Sequence, residues 1–378
     1  MALPSGNYNN ISYQASTSIQ GFTGRKPKFQ MEAELESIIK VWILAIISLS
    51  YCFYLSSKLP NGVSRLISLT PVFILFLYLP LTISSAHLAG PTAFFLSWLA
   101  NFKLLLFAFH QPPLSPPPPS LFHFISLASL PIKPKQATAT ATPSPSKSKP
   151  PHLPKSILFA IKVLILALLY HSYNYKQFLH KNVVLVFYSV HTYIELELTL
   201  ALAAVPARAI FGFELEPQFN EPYLASSLQD FWGHRWNLMV TSILRPTVYY
   251  PMRRISARVL GPVWVSLPAI VAVFVVSGLM HELIYYYLTR VAPTWEVTWF
   301  FILHGVALAV EVAVKKVVPE KMRLHPVVSG ALTLGFVAVT AFWLFFPQLL
   351  RNGVDERVIR DYSKLVDCLK GWLPFHLD

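Results

Sequence analysis

Two ionisable residues in succession, His281 and Glu282, stand inside the apolar stretch SGLMHELIYYYLT. A side chain that can carry charge is costly at that depth and marks a functional site unless a partner accounts for it. An imidazole is the side chain best placed to take up a proton near neutrality. Ser277 and Gly278 lie about one turn earlier on the same face, small enough for a neighbouring backbone or a substrate chain to come close. The second concentration is QFNEPYLASSLQDFWGHRWNLMVTSILRPTVYYPMRR, residues 218–254. It sets Phe231, Trp232 and Trp236 beside His234, Arg235 and Asn237, with Arg245, Arg253 and Arg254 following. That mixture describes either an interfacial helix with its aromatic belt or a dock for a phosphorylated substrate. Glu195 and Glu197 form the third feature; two residues apart, they point to different faces of a helix. Glu195 is expected to face a polar cavity, with Lys162 or His281 as its partner. His87, His171, His191 and His304 read more simply as histidines that bond a neighbouring helix.

Other chemistries find no support. The chain has no GxxxxGK[ST], no GxGxxG, no HExxH and no GxSxG. The position four residues after His281 is Tyr285, which does not complete a zinc site. The only cysteines are Cys52, in an apolar run, and Cys368, near the end, so neither a disulfide framework nor a cysteine metal site is expected. A histidine at membrane depth without a serine or cysteine partner points to direct general-base catalysis, with no covalent enzyme intermediate.

The elements that must position these residues follow from composition. Of 378 residues, 54% are hydrophobic and 13% charged, which excludes an ordinary soluble domain. Runs near the ~20 residues a bilayer requires occur at Val41–Ser57, Leu66–Ala86, Leu88–Phe109, Ser156–Tyr173, Asn182–Ala207, Val263–Thr289, Val297–Val314 and Pro326–Leu350. In lipid every backbone amide must be satisfied internally, so runs this long mean helices rather than barrel strands. The expected fold is an all-α polytopic membrane protein of about eight helices over residues 31–350. A polar, disordered tail is expected over 1–30, with a weak sequon at Asn10, and a charged tail outside the membrane over 351–378. Residues 111–155, rich in Pro, Ser, Thr and Lys, read as a flexible basic loop with an apolar island at Leu121–Leu130. The net charge of +13 is read as a signal for anionic lipid and phosphorylated substrate, not nucleic acid. The loops that alternate on one side carry most of the Lys and Arg; the opposite loops hold only Lys176, Lys181 and Arg290. The positive-inside rule therefore puts the 211–258 segment on the cytosolic side.

At these residues the chain resembles the plant wax synthases, a branch of the membrane-bound O-acyltransferases. The resemblance covers about residues 31–362. It is carried by WLANFKLLLFAF (98–109), PQFNEPYLASSLQDFWGHRWNLMV (217–240), VSGLMHELIYYYLTR (276–290) and PTWEVTWFFILHGVALAVEVAVKK (293–316). One departure is His234, where the family usually carries arginine in GRRWN. Residues 243–254 look more like relatives that acylate sterols or acetylate diacylglycerol. The resemblance implies a helical bundle with a buried central chamber, residence in the endoplasmic reticulum membrane, His281 as the catalytic histidine and Asn237 as its partner. It implies acyl-CoA as donor, a lipid alcohol as acceptor, and neither metal nor resident cofactor. Trp232, His234, Arg235, Trp236, Arg245, Arg253, Arg254, Glu195, Ser277 and Gly278 are the expected substrate-binding residues. A long-chain fatty alcohol is the favoured acceptor, with sterol and diacylglycerol as alternatives. A transporter would also use intramembrane His and Glu, but the chain shows no paired half-sequences or matched broken helices. A non-catalytic scaffold would have no need of a buried His281.

Overall fold

A computed structural model describes residues 27–56, 58–135, 154–212 and 215–372. Among these residues there is no strand, and 8 helices are long and apolar enough to cross a membrane. They are α1 (Glu32–Leu55), α2 (Val63–Thr82), α3 (Ala86–Ala108), α5 (Ser156–Phe178), α6 (Lys181–Ile210), α9 (Ser266–Thr289), α10 (Glu296–Val317) and α11 (Pro326–Arg351). Between them run the shorter helices α4 (Leu121–Ser129), α7 (Leu238–Leu244) and α8 (Tyr250–Ser256); α12 (Val354–Trp372) ends the described chain. The all-α polytopic fold and the number of spans match the sequence reading. Exposed Ile47, Leu164, Val310 and Trp343 stud the outward faces, where lipid rather than water covers them. The expected sequon at Asn10 lies outside the described residues, and residues 27–30, expected in the disordered tail, are helical and continuous with α1.

The bundle is held by three apolar clusters. One joins α1 to α4, around Leu49, Phe76, Leu104 and Phe124. One joins α9, α10 and α11, around Phe274, Val297 and Phe301. The third ties Trp98 of α3 and Leu200 of α6 to Phe219 and Met239 of the 218–254 segment. The α9–α10 contact is the tightest. A Cβ on Gly278 would meet the Thr298 Cα at 3.0 Å, and one on Gly305 would meet the Phe274 Cβ at 2.7 Å. Small residues thus let two helix backbones touch, the favourable mode of association where lipid is as apolar as the side chains.

Residues 111–135 are packed, although composition reads them as flexible loop. Lys103, fully buried in α3, donates from Nζ to the carbonyls of Leu127 and Leu130, both at 2.6 Å. The ammonium meets the carbonyls that end α4, where a helix carries partial negative charge. Beyond α4, Lys133 pairs with Glu216 at 2.7 Å and Pro134 bridges to Leu215, so this connection clamps the entry to the 218–254 segment. Residues 136–153 lie outside the described residues.

Candidate active site

A cavity of about 960 Å³ opens inside the bundle. One stripe of α9 lines it: Ile270, Val273, Phe274, Ser277, His281, Ile284, Tyr285 and Leu288. Those steps of three and four residues are the repeat of a single helix face. At ~1.5 Å per residue the stripe is about 27 Å long, with His281 about 10 Å from its Leu288 end. The cavity therefore runs nearly the thickness of a bilayer, and the histidine faces it from within.

His281 is fixed in one orientation. Its Nδ1 donates to the Ser277 carbonyl at 2.7 Å, which places the proton of the neutral ring on Nδ1 and leaves Nε2 as the basic nitrogen. The ring packs against Phe301 at 4.2 Å and edge-on to Trp98 at 5.4 Å between centroids. Nε2 has no hydrogen-bond partner among the described residues. Glu282, one position on, points away. It is buried between α9 and α10, where Oε1 accepts from the Thr298 N–H at 3.3 Å in the first turn of α10. The paired ionisable residues thus divide: the histidine serves the cavity and the glutamate caps a helix N-terminus.

The opposite wall comes from the 218–254 segment. The turn at Leu228 opens with Ser227 as cap, its Oγ accepting from Asp230 N–H at 3.1 Å. It continues as a π-helical stretch, Phe231–Arg235, and then breaks: Trp236 is extended and Asn237 adopts the left-handed conformation, φ 38°. Asparagine tolerates that region better than most side chains. Asn237 caps α7, its Oδ1 accepting from Val240 N–H at 3.4 Å, and it is buried against the cavity. Its Nδ2 has no acceptor among the described residues. Trp232 and Trp236 line the cavity too, Trp236 stacked on Phe231 at 5.3 Å. The indole N–H of Trp232 donates to His304 Nδ1 at 3.1 Å, and His304 Nε2 reaches Thr340 Oγ1 at 2.8 Å. His304 is the structural link that its sequence context suggests.

The other expected site residues separate. Arg245 lines the cavity near its 228–250 end and is exposed, with no partner among the described residues. Arg253 and Arg254, on α8, are exposed and lie outside the cavity wall. Arg235 is a brace: Nε donates to Asp230 Oδ2 at 2.8 Å and a terminal nitrogen to the carbonyls of Asn220 and Glu221, each at 3.2 Å. Burial is the largest single influence on the Asp230 pKa and raises it, but the bonds from Arg235 and the Ser226 N–H together with the Arg235 charge outweigh it and hold the carboxyl below the usual carboxylate range. His234 is exposed, 4.0 Å from Asp230, and is absent from the wall, so the position where the family carries arginine faces away from the chamber. Ser277 faces the cavity, whereas Gly278 serves the contact with α10 and admits no substrate.

Glu195 lines the cavity but meets neither Lys162 nor His281. Its carboxylate lies 2.9 Å from His87 Nδ1 and 3.3 Å from His191 Nε2, while Lys162 pairs with Glu197 at 2.5 Å. Sequence reasoning missed two groups. Glu311 of α10 accepts from the Leu228 and Gln229 N–H groups at 2.8 and 3.2 Å, pinning the motif segment, with Lys315 at 2.7 Å. Helix α12 closes one end of the cavity with Val354, Asp355, Val358 and Ile359.

A family model for the membrane-bound O-acyl transferase family matches residues 215–303, the stretch that contributes both Asn237 and His281. Over 351 residues the chain is 51% identical to the long-chain-alcohol O-fatty-acyltransferase of Simmondsia chinensis, covering 91% of this chain and 100% of that one. It is 50% identical to the Arabidopsis thaliana protein named "Probable long-chain-alcohol O-fatty-acyltransferase 1", covering 90% and 98%. The chain belongs to the plant wax synthase branch of the membrane-bound O-acyltransferases. A further Arabidopsis thaliana relative, an acyl-CoA–sterol O-acyltransferase, is 46% identical over 88% of this chain and 95% of its own. The protein is thus a multi-pass membrane acyltransferase, and its apolar cavity is lined by an imidazole nitrogen and an amide donor that have no partner among the described residues.

Proposed function

We propose that this acyltransferase makes wax esters, moving a fatty acyl group from acyl-CoA to a long-chain fatty alcohol in the endoplasmic reticulum membrane. The observation that carries the reading is His281, its Nε2 left free by the bond from Nδ1 to Ser277 and opening into a 960 Å³ apolar cavity shared with Asn237. Nε2 takes the proton of the alcohol as its oxygen attacks the thioester carbonyl. The carbonyl oxygen becomes an oxyanion, to which Asn237 Nδ2 donates. Collapse re-forms the carbonyl, breaks the carbon–sulfur bond and releases CoA thiolate, which takes the proton back from the imidazolium. The thioester supplies the driving force and no resident cofactor is required. General-base help of this kind is worth about 10²–10⁴-fold.

Support for the fatty alcohol comes from the relatives named for it, at 46 to 51% identity; the sterol-acylating relative, at 46%, lies at the low end of the same range. A competition assay separates the acceptors. Microsomes carrying the enzyme receive labelled palmitoyl-CoA with hexadecanol, a sterol and a diacylglycerol together. Wax ester is expected as the main labelled product, and His281→Ala should abolish it at unchanged protein level. Steryl ester as the main product would reassign the acceptor; full activity in His281→Ala would sink the mechanism.

A further inference from the structure

Helix α12 is where this chain closes its own chamber. Charge alone reads residues 351–378 as a tail outside the membrane, but Val354, Val358 and Ile359 fall on one helical face and that face lines the cavity. Polar contacts hold the helix across the opening. Arg357 donates to the Leu288 carbonyl at 2.7 Å, the end of the α9 stripe. His87 Nε2 donates to the Val358 carbonyl at 3.1 Å while its Nδ1 meets Glu195. Tyr188 donates to Asp355 at 2.7 Å and Ser85 to Asp361 at 2.9 Å. His87, Tyr188, Glu195 and Asp355 line this end of the cavity too, but are tied to one another and to the helix, and Val354, Val358 and Ile359 are the aliphatic groups that α12 adds beside them.

We infer that the cavity face of α12, chiefly Val358 and Ile359, is the wall against which the acyl chain of the thioester ends, and that side-chain volume there selects acyl-chain length. The inference rests on the acyl-CoA reading above and deepens it. The assignment to the acyl chain, rather than the alcohol, follows from direction. CoA is a soluble polyanion and enters at the Arg245 end, so its arm points inward and brings the thioester to His281. The acyl chain continues past His281 towards Leu288 and α12, about 10 Å further along α9 at ~1.5 Å per residue; an extended palmitoyl chain is longer than that and bends within the 960 Å³ chamber before its end meets this wall. The alcohol arrives from lipid with its hydroxyl leading, and its tail trails back.

The test uses the full-length enzyme in membranes. Val358→Ala with Ile359→Ala enlarges the chamber end, and Val358→Phe fills it. Each is assayed with saturated donors from lauroyl- to arachidoyl-CoA at fixed hexadecanol, then with an alcohol series at fixed palmitoyl-CoA. The double alanine variant should move the best donor to longer chains and the phenylalanine variant to shorter ones. The ratio of kcat/KM between neighbouring donors should change by about tenfold, as for a methylene gained or lost in an apolar pocket. An unaltered donor profile in the active double alanine variant overturns the inference, and so does a shift confined to the alcohol series. Failure of the wild-type enzyme to esterify any alcohol from acyl-CoA is a separate result, which sinks the underlying reaction instead.

Discussion

Asn237 holds two roles that one substitution can separate. Its Oδ1 caps α7 and its backbone sits at φ 38°, so replacing it with alanine removes a cap worth about 1 kcal/mol and strains a position costing roughly as much again. A loss of activity in Asn237→Ala would therefore be ambiguous. Asn237→Asp is cleaner: aspartate is an equally good N-cap, tolerates the left-handed region and keeps the shape, but it replaces the Nδ2 donor with an acceptor. If Asn237 donates to the oxyanion, the Asp variant should keep wild-type protein level and thermal stability yet lose about 10²–10³ in kcat. Near-normal turnover in Asn237→Asp would reduce the residue to a cap and leave His281 as the sole catalytic group. The candidacy of His281 was readable in the sequence, because a histidine within an apolar run stands out against its surroundings, whereas the role expected of Asn237 came only with the family resemblance. The fixed tautomer of His281 was not readable, since it depends on the direction of one ring against a carbonyl a turn away.

The elements explain how helices present so many side chains to one chamber. The four π-helical segments among the described residues, Ala93–Ala100, Phe231–Arg235, Arg245–Tyr249 and Ala341–Phe345, all contribute lining residues, among them Trp98, Trp232, Arg245 and Phe345. A widened turn re-aims the side chains that follow it, which is why such segments gather at functional sites. The 228–237 segment also needs the Arg235–Asp230 brace, because its turn ends in a break rather than a continuing helix. Asp230→Asn should lower the thermal midpoint of the detergent-solubilised enzyme and raise the KM for both substrates by loosening this wall. The folded pKa of Asp230 lies below its ordinary value near ~3.9, so the bridge contributes fully above that value and fades as pH falls through the folded pKa. The midpoint difference between wild type and Asp230→Asn should accordingly hold from neutrality to about pH 5 and narrow below ~4. A difference independent of pH would mean that the mutation acts through packing. Arg235 shows what spacing cannot tell: basic residues beside tryptophans suggest a phosphate dock, but side-chain direction decided for the brace. Glu195 shows the same for pairing, since His87 lies far from it in sequence. Span boundaries follow from runs of apolar residues only in part: Pro326–Leu350 differs from the observed Pro326–Arg351 by one residue, but the first span, expected from Val41, starts at Glu32, where polar residues continue the helix.

At the scale of the whole molecule the chamber has two unlike ends. One is shut by α12; the other opens beside Arg245, with Arg253, Arg254 and Arg258 exposed on and just beyond α8. The positive-inside rule assigns this basic end to the cytosol in the proposed reaction, where the field of four arginines would attract a polyanion before any contact is made. Arg245→Ala should raise the KM for acyl-CoA several-fold with the KM for alcohol unchanged, because this guanidinium stands at the mouth itself. Arg253→Ala with Arg254→Ala should raise the same KM by a smaller factor, acting through the field rather than through the wall. Exposed charges are screened over about 10 Å at 0.1 M salt and about 3 Å at 1 M. Measured across that range, the deficit of the double variant should therefore shrink towards wild type sooner than that of Arg245→Ala, which sits where bound CoA would shield it from the salt. Fixed KM for acyl-CoA together with a shifted KM for alcohol would identify the α8 arginines as lipid contacts or topology signals, and would leave Arg245 alone to receive the donor.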